Sequence, residues 1–172
     1  MNKSELFDII AHLIEYQKIN NITRMCSTNV QIMYDLITQC CSFNKVEVKS
    51  VVVVEQVYPH TIAIGHVVII LDDEIIMEPS YEIARLNKPL HCFNVKDFIN
   101  ALKYNSNKYK ININKIDLKS QINQFLIFDK IANDINNKEL RVNLEYYNAV
   151  IDYINEKRHL EKKEAVWQSR HS

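Results

Sequence analysis

Apolar residues recur along the first forty positions at helical spacing. Leu6, Ile9, Ile10, Leu13 and Ile14 share one face of a helix over residues 4–17, with Ser4 as its N-cap. After the polar connection 18–25, Val30, Met33, Ile37 and the pair Cys40-Cys41 follow at i, i+3, i+7 and i+10. Ile32, Tyr34 and Leu36 widen that stripe, so a second helix is expected, buried on most of its circumference. Ser27-Thr28-Asn29 supply capping oxygens, and Cys26 stands at the N-terminal end. The period then changes to two. Residues 46–58 read as a long strand, alternating at first and continuously apolar later, and Pro59-His60 breaks it.

The stretch from Thr61 to Ser80 predicts two apolar strands joined by a short acidic turn. Ile62, Ile64, His66, Val68 and Ile70 point to one face of the first strand, and Ala63, Gly65, Val67, Ile69 and Leu71 to the other. Both sets are apolar, as in a strand covered on both sides. Gly65 is the only glycine among 172 residues, and inside a strand it marks a bulge or a close approach. His66 needs partners for a buried ring. A three-residue loop at Leu71-Asp72-Asp73 sets it directly opposite Glu78, and a loop two residues longer makes the two diagonal neighbours on one face. A two-residue Asp72-Asp73 turn separates them, but that turn type wants Asn-Gly or Asp-Gly.

Beyond Ser80 the pattern weakens. Residues 81–93 look irregular, Asn94 caps a short helix from Val95 to Tyr104, and residues 109–114 alternate like an edge strand. Two further helices are expected over roughly 119–135 and 138–165, the second with Leu144, Tyr147, Ile151 and Ile154 inward and a mixed-charge end. The result is a single α+β domain over 1–172, with a core over roughly 1–95 and a helical extension over roughly 95–165.

Composition narrows the function. Twenty-one basic residues balance 21 acidic ones, which argues against a broad nucleic-acid surface. No apolar run reaches membrane-spanning length and the N-terminus lacks a signal-peptide core, so no membrane association and a cytoplasmic setting are expected. The four cysteines show no disulfide-like spacing, in keeping with a reducing compartment. No metal is expected either: Cys40-Cys41 with His91-Cys92 offers no C-x-x-C spacing, and adjacent helical ligands point apart. One glycine rules out a Gly-rich phosphate loop, and no cofactor is expected. His12 reads as a surface histidine, and Tyr58, Tyr81, Tyr146 and Tyr147 as packing.

A histidine held by a carboxylate is half of a nucleophilic machine, and the missing half is a Ser or Cys at the start of a helix. Cys26 fits. Free N–H groups and the positive end of the helix dipole favour an anionic sulfur there and an oxyanion beside it. The order is then a cysteine opening a buried helix, a strand, a histidine strand, a turn, and a strand ending in Glu78-Pro79-Ser80. Over about residues 20–80 this resembles the transglutaminase-like branch of the papain-like cysteine enzymes. The resemblance implies a central helix packed on an antiparallel sheet, with a helical C-terminal addition. It implies a catalytic triad of Cys26, His66 and Glu78, and a protein or peptide substrate whose amide is attacked to give a Cys26 thioester. The oxyanion is then held by the Cys26 N–H and an upstream side-chain amide. Asn20, six residues before the cysteine, matches the papain-type spacing; Asn21 and Gln17 are alternatives. The chain departs from the family pattern at the acid, which is glutamate rather than aspartate, in having no Trp or Phe after the cysteine and no Gly before it, and in lacking a tryptophan on the strand after His66. Those departures define the other class of function, a protein-binding module that keeps the fold without the chemistry.

Overall fold

Two helices open the chain, α1 (Lys3–Ile19) and α2 (Cys26–Cys40). The computed structural model describes residues 3–40, 42–57, 60–86, 90–92, 95–109 and 117–171. After α2 come β1 (Val46–Val57), β2 (His60–Leu71), β3 (Ile75–Met77), α3 (Tyr81–Ala84), β4 (Leu90–Cys92), α4 (Val95–Tyr109), α5 (Leu118–Asn136) and α6 (Leu144–His171). The fold is α+β, with a four-stranded antiparallel sheet in the order β3-β2-β1-β4. No described helix is long and apolar enough to cross a membrane.

The chain forms two compact units. One comprises residues 1–42, 79–81 and 141–172; the other comprises 43–78 and 82–140. This division does not follow the sequence order of a core up to residue 95 and an extension after it. α4 and α5 belong with the sheet, whereas α1 and α2 share a unit with α6.

In the helical unit, Leu6, Ile9 and Leu13 of α1, Val30, Ile32, Met33 and Ile37 of α2, and Val150 and Ile154 of α6 are buried. Tyr16 packs against Tyr146 and Tyr153 of α6, with ring centroids 6.1 and 5.2 Å apart. The inward residues of α6 are therefore Tyr146, Val150 and Ile154, while Leu144 is exposed. The reason is where α6 starts. Asn143 caps it through its Oδ1, which accepts from the Tyr146 N–H at 3.1 Å, six residues later than the apolar pattern alone suggests.

α1 and α5 stop in the same way. Asn21 takes a left-handed conformation (φ 51°), its N–H donates to Lys18 O and that of Ile22 to Gln17 O. At the end of α5, Lys138 (φ 60°) and Glu139 repeat the arrangement with Ile135 and Asp134. Both are Schellman motifs, which satisfy the last carbonyls of a helix.

In the sheet unit, β1 and β2 pair along their whole length, from Val46↔Leu71 to Val57↔His60. One face carries Val52 and Val54, which pack with Phe98 and Leu102 of α4 and Phe125 of α5; the Phe98 and Phe125 rings stack at 4.6 Å. The same face carries Gly65. A Cβ built there meets Phe128 Cδ2 of α5 at 2.7 Å, so the glycine serves a close approach by a helix. The opposite face carries Val51, Val68 and Ile70, with Leu90 of β4 beside them.

Where β4 does not cover β1, the side chain of Asn136 does. It accepts from the Val48 N–H and donates to Val48 O, both at 2.9 Å, closing an edge that otherwise presents unpaired backbone. β4 and α3 replace the irregular stretch expected over 81–93; three- and four-residue elements are too short to show a period. α4 runs to Tyr109, beyond its expected end. The edge strand expected over 109–114 lies outside the described residues except for Tyr109, which ends α4.

Candidate functional site

His66 and Glu78 meet on one face of the sheet. β2 and β3 pair as Ile69↔Met77, Ile70↔Ile76 and Leu71↔Ile75. Carried one residue further, that register sets Glu78 opposite Val68 and makes it the diagonal neighbour of His66. The turn that fixes the register combines features that the sequence presented as alternatives. Asp72 and Asp73 both take left-handed conformations, φ 51° and 58°, and the Glu74 N–H closes onto Leu71 O at 3.0 Å. That is the backbone of an Asn-Gly turn carried by two aspartates, residues that tolerate this region better than most. Glu74 adds a third loop residue, which restores the parity that a two-residue turn destroys.

Lys45 secures the turn. Its N–H donates to Asp72 Oδ1 and its carbonyl accepts from the Asp72 N–H, both at 2.9 Å. Its Nζ bonds both carboxylate oxygens of Asp73, at 2.8 and 3.1 Å. The hydrogen bond from Lys45 holds the Asp73 carboxyl below the usual carboxylate range, and the same bond, together with that to Glu47, raises the ammonium.

The His66 Nε2 to Glu78 Oε2 distance is 2.5 Å. The two side chains are 3% and 10% exposed, so the contact is shielded from water and worth more than a surface pair. An ionised Glu78 requires the proton on Nε2. In the neutral imidazole Nδ1 then carries the lone pair, which makes it the atom suited to act as a base.

Cys26 lies in the helical unit, as the first residue of α2, and is half-buried. The Asn29 N–H donates to Met25 O at 2.8 Å, so Met25 is the N-cap and the N–H groups of Cys26, Ser27 and Thr28 have no partner inside the helix. The helix thus starts before the residues expected to cap it, and Thr28 and Asn29 are buried in its first turn. No acidic residue stands in that turn to neutralise the positive end of the dipole.

The three upstream amides occupy different places. Asn20 is exposed and its Nδ2 donates to Tyr16 O at 2.9 Å, while Asn21 forms the helix stop already described. Gln17 is buried and all four of its hydrogen-bonding positions are occupied. Its Nε2 donates to Leu13 O at 3.1 Å and to Pro79 O at 2.6 Å. Its Oε1 accepts from Asn29 Nδ2 and from the Tyr81 N–H, each at 3.0 Å. Behind it, the Tyr146 hydroxyl donates to Asn29 Oδ1 at 2.7 Å. This network of Gln17, Asn29 and Tyr146 is absent from a reading of apolar periodicity, which treats Gln17 as the polar end of a helix. The available signal was Asn29 flanked by Val30 in a helix buried nearly all round.

His12 is not the surface residue expected. It is 12% exposed, with Nε2 2.9 Å from Glu161 Oε1 and Nδ1 3.6 Å from Glu15 Oε2. Tyr147 donates to Asp35 Oδ2 at 2.8 Å; burial first, then that bond, pushes its phenol up to about 12. Burial raises Tyr146 as well, and burial followed by the nearby Lys108 charge lowers His91. Tyr58 and the side chain of Cys92 lie outside the described residues, as do Cys41 and the side chain of Cys40. Among the described residues, no group of three or more His, Cys, Asp and Glu side chains could hold a metal ion. Comparison with protein-family models, with curated proteins and with solved structures found no match to this chain.

Proposed function

We propose that the chain is a cysteine hydrolase or acyltransferase of transglutaminase-like type, with Cys26, His66 and Glu78 as its triad and an amide of a protein or peptide as its substrate. The observation that carries this reading is the buried contact of His66 Nε2 with Glu78. It holds an imidazole in the tautomer that leaves Nδ1 as base, on a strand that follows a helix opening with a thiol.

In this mechanism Nδ1 of His66 takes the Cys26 proton and the thiolate attacks the amide carbonyl carbon. The backbone N–H of Cys26 meets the oxyanion, and Asn20 is carried as the side-chain candidate, its amide already given in part to Tyr16. Collapse of the tetrahedral intermediate breaks the C–N bond, and the amine departs with the proton from His66. Water or a second amine then attacks the thioester, gives its proton to Nδ1, and the thiol is restored as the acyl group leaves. Glu78 stabilises the imidazolium in both halves.

The second reading, a binding module without chemistry, draws on the exposure of Asn20 and its bond to Tyr16, which leave the oxyanion with less help than a dedicated side chain gives. Turnover of a fluorogenic amide, and incorporation of a labelled amine, separate the two. Cys26→Ala abolishes both with an unchanged melting temperature, His66→Ala abolishes both, and Glu78→Gln slows them without complete loss. Full activity in Cys26→Ala, or partner binding by that variant at wild-type strength with no chemistry in the wild type, gives the case to the binding module.

A further inference from the structure

Asparagine is a costly residue for the buried first turn of a helix. Its amide competes with the backbone, and it loses free energy when left unpaired in the interior. Asn29 is nevertheless 2% exposed in the first turn of α2. Its side chain is held on two sides by the other long helices of the helical unit. Nδ2 donates to Gln17 Oε1 of α1 at 3.0 Å, and Oδ1 accepts from the Tyr146 hydroxyl of α6 at 2.7 Å.

Groups of fixed polarity set the direction of these bonds. Leu13 O and Pro79 O can only accept and the Tyr81 N–H can only donate, so the Gln17 amide has one orientation. Its oxygen faces Asn29, which must answer with Nδ2 and thereby turns Oδ1 to Tyr146. Burial, and then the neighbouring Tyr16, push the Tyr146 phenol up, so the hydroxyl keeps its proton and remains the donor. An apolar side chain at position 29 fills the same space but fixes no orientation, whereas a bonded carboxamide does.

Cys26 lies three residues before Asn29 on the same side of the helix, a spacing that sets Cβ atoms about 5–6 Å apart. The backbone closes the same turn, with the Asn29 N–H donating to Met25 O at 2.8 Å. A helix opens first at its ends, and here the N–H groups of Cys26, Ser27 and Thr28 have no partner inside the helix. We infer that Asn29 is a positioning residue for Cys26: held by Gln17 and Tyr146, it keeps the first turn of α2 closed and the thiol beside the free helix N–H groups. The inference rests on the proposed function in taking Cys26 as the nucleophile. It also assigns Gln17, at the end of α1, work other than that of an oxyanion donor.

The test reads the thiol as a function of pH. Alkylation of Cys26 by iodoacetamide is followed by peptide mapping across a pH series, in the wild type, the urea-unfolded chain and three variants. Asn29→Leu keeps the bulk of the side chain and removes both bonds, and Tyr146→Phe removes one hydroxyl. Tyr147→Phe is the control, because it removes a bond between the same two helices, to Asp35 Oδ2 at 2.8 Å, beyond the first turn of α2. In Asn29→Leu and Tyr146→Phe the pH of half-maximal rate moves from the wild-type value toward that of the unfolded chain, and in Tyr147→Phe it stays. A wild-type profile in folded Tyr146→Phe, or an equal shift in Tyr147→Phe, overturns the inference even should Asn29→Leu fail to fold, and leaves Cys26 as the nucleophile. A wild-type protein whose profile matches that of the unfolded chain removes the nucleophile and the inference together.

Discussion

At the scale of single residues, the length of the acid follows from the register. Diagonal neighbours across an antiparallel pair sit about 7–8 Å apart, against about 4.5–5.5 Å for residues directly opposite. Glutamate spans the longer gap that the Asp72-Asp73-Glu74 turn creates, and aspartate is one methylene short. Glu78→Asp is accordingly expected to cost about 1–3 kcal/mol in urea unfolding, because it leaves two buried polar groups facing each other without a bond. Equal stability of Glu78→Asp and wild type would show that the contact adds nothing. The side of the sheet that both residues share was legible in the sequence, since alternation settles it for every odd-residue loop. Which odd register forms was not, because the left-handed pair of aspartates depends on Lys45, 27 residues upstream of Asp72.

Among elements, the helices show how far periodicity reaches. It places α1, α2 and α5 within a turn at both ends, and sets α6 six residues early at each end, its start because Asn143, a cap, lies inside an apolar pattern. The strands β1 and β2 were legible throughout; β4 was not, for three residues carry no period and their pairing to β1 is a tertiary fact. Gly65 lies between these cases. The sequence marks a close approach without naming the neighbour, and the neighbour is Phe128 on α5. Gly65→Ala drives a methyl into that ring and should cost about 1–3 kcal/mol, as overpacked cores do. Gly65→Ala in a Phe128→Leu background should cost less than in the wild type, and the double-mutant cycle measures the difference. Additive losses would mean that the ring yields freely.

For the whole molecule, the sequence describes a core followed by an addition, while the chain passes between two units at 42–43, 78–79, 81–82 and 140–141. No local pattern records such crossings, because they depend on which faces meet. In the helical unit part of that meeting is polar: Tyr147 of α6 donates to Asp35 of α2, and its phenol is raised to about 12. A group whose folded pKa lies above its unfolded value of about 10 stabilises fully below pH 10 and loses that contribution as pH rises through 12. Chemical unfolding should therefore show stability falling between pH 10 and 12, with a shallower fall in Tyr147→Phe. Parallel pH profiles for the two proteins would place the alkaline loss elsewhere.

The central claim is that Cys26 and His66 act together, and alkylation tests it most directly. Brief treatment with iodoacetamide near neutral pH, followed by peptide mapping, gives the rate at each of Cys26, Cys40, Cys41 and Cys92. Cys26 is expected to react first, with a rate that drops in His66→Ala and by less in Glu78→Gln. Labelling of Cys41 or Cys92 ahead of Cys26, or a Cys26 rate unchanged by His66→Ala, would contradict it.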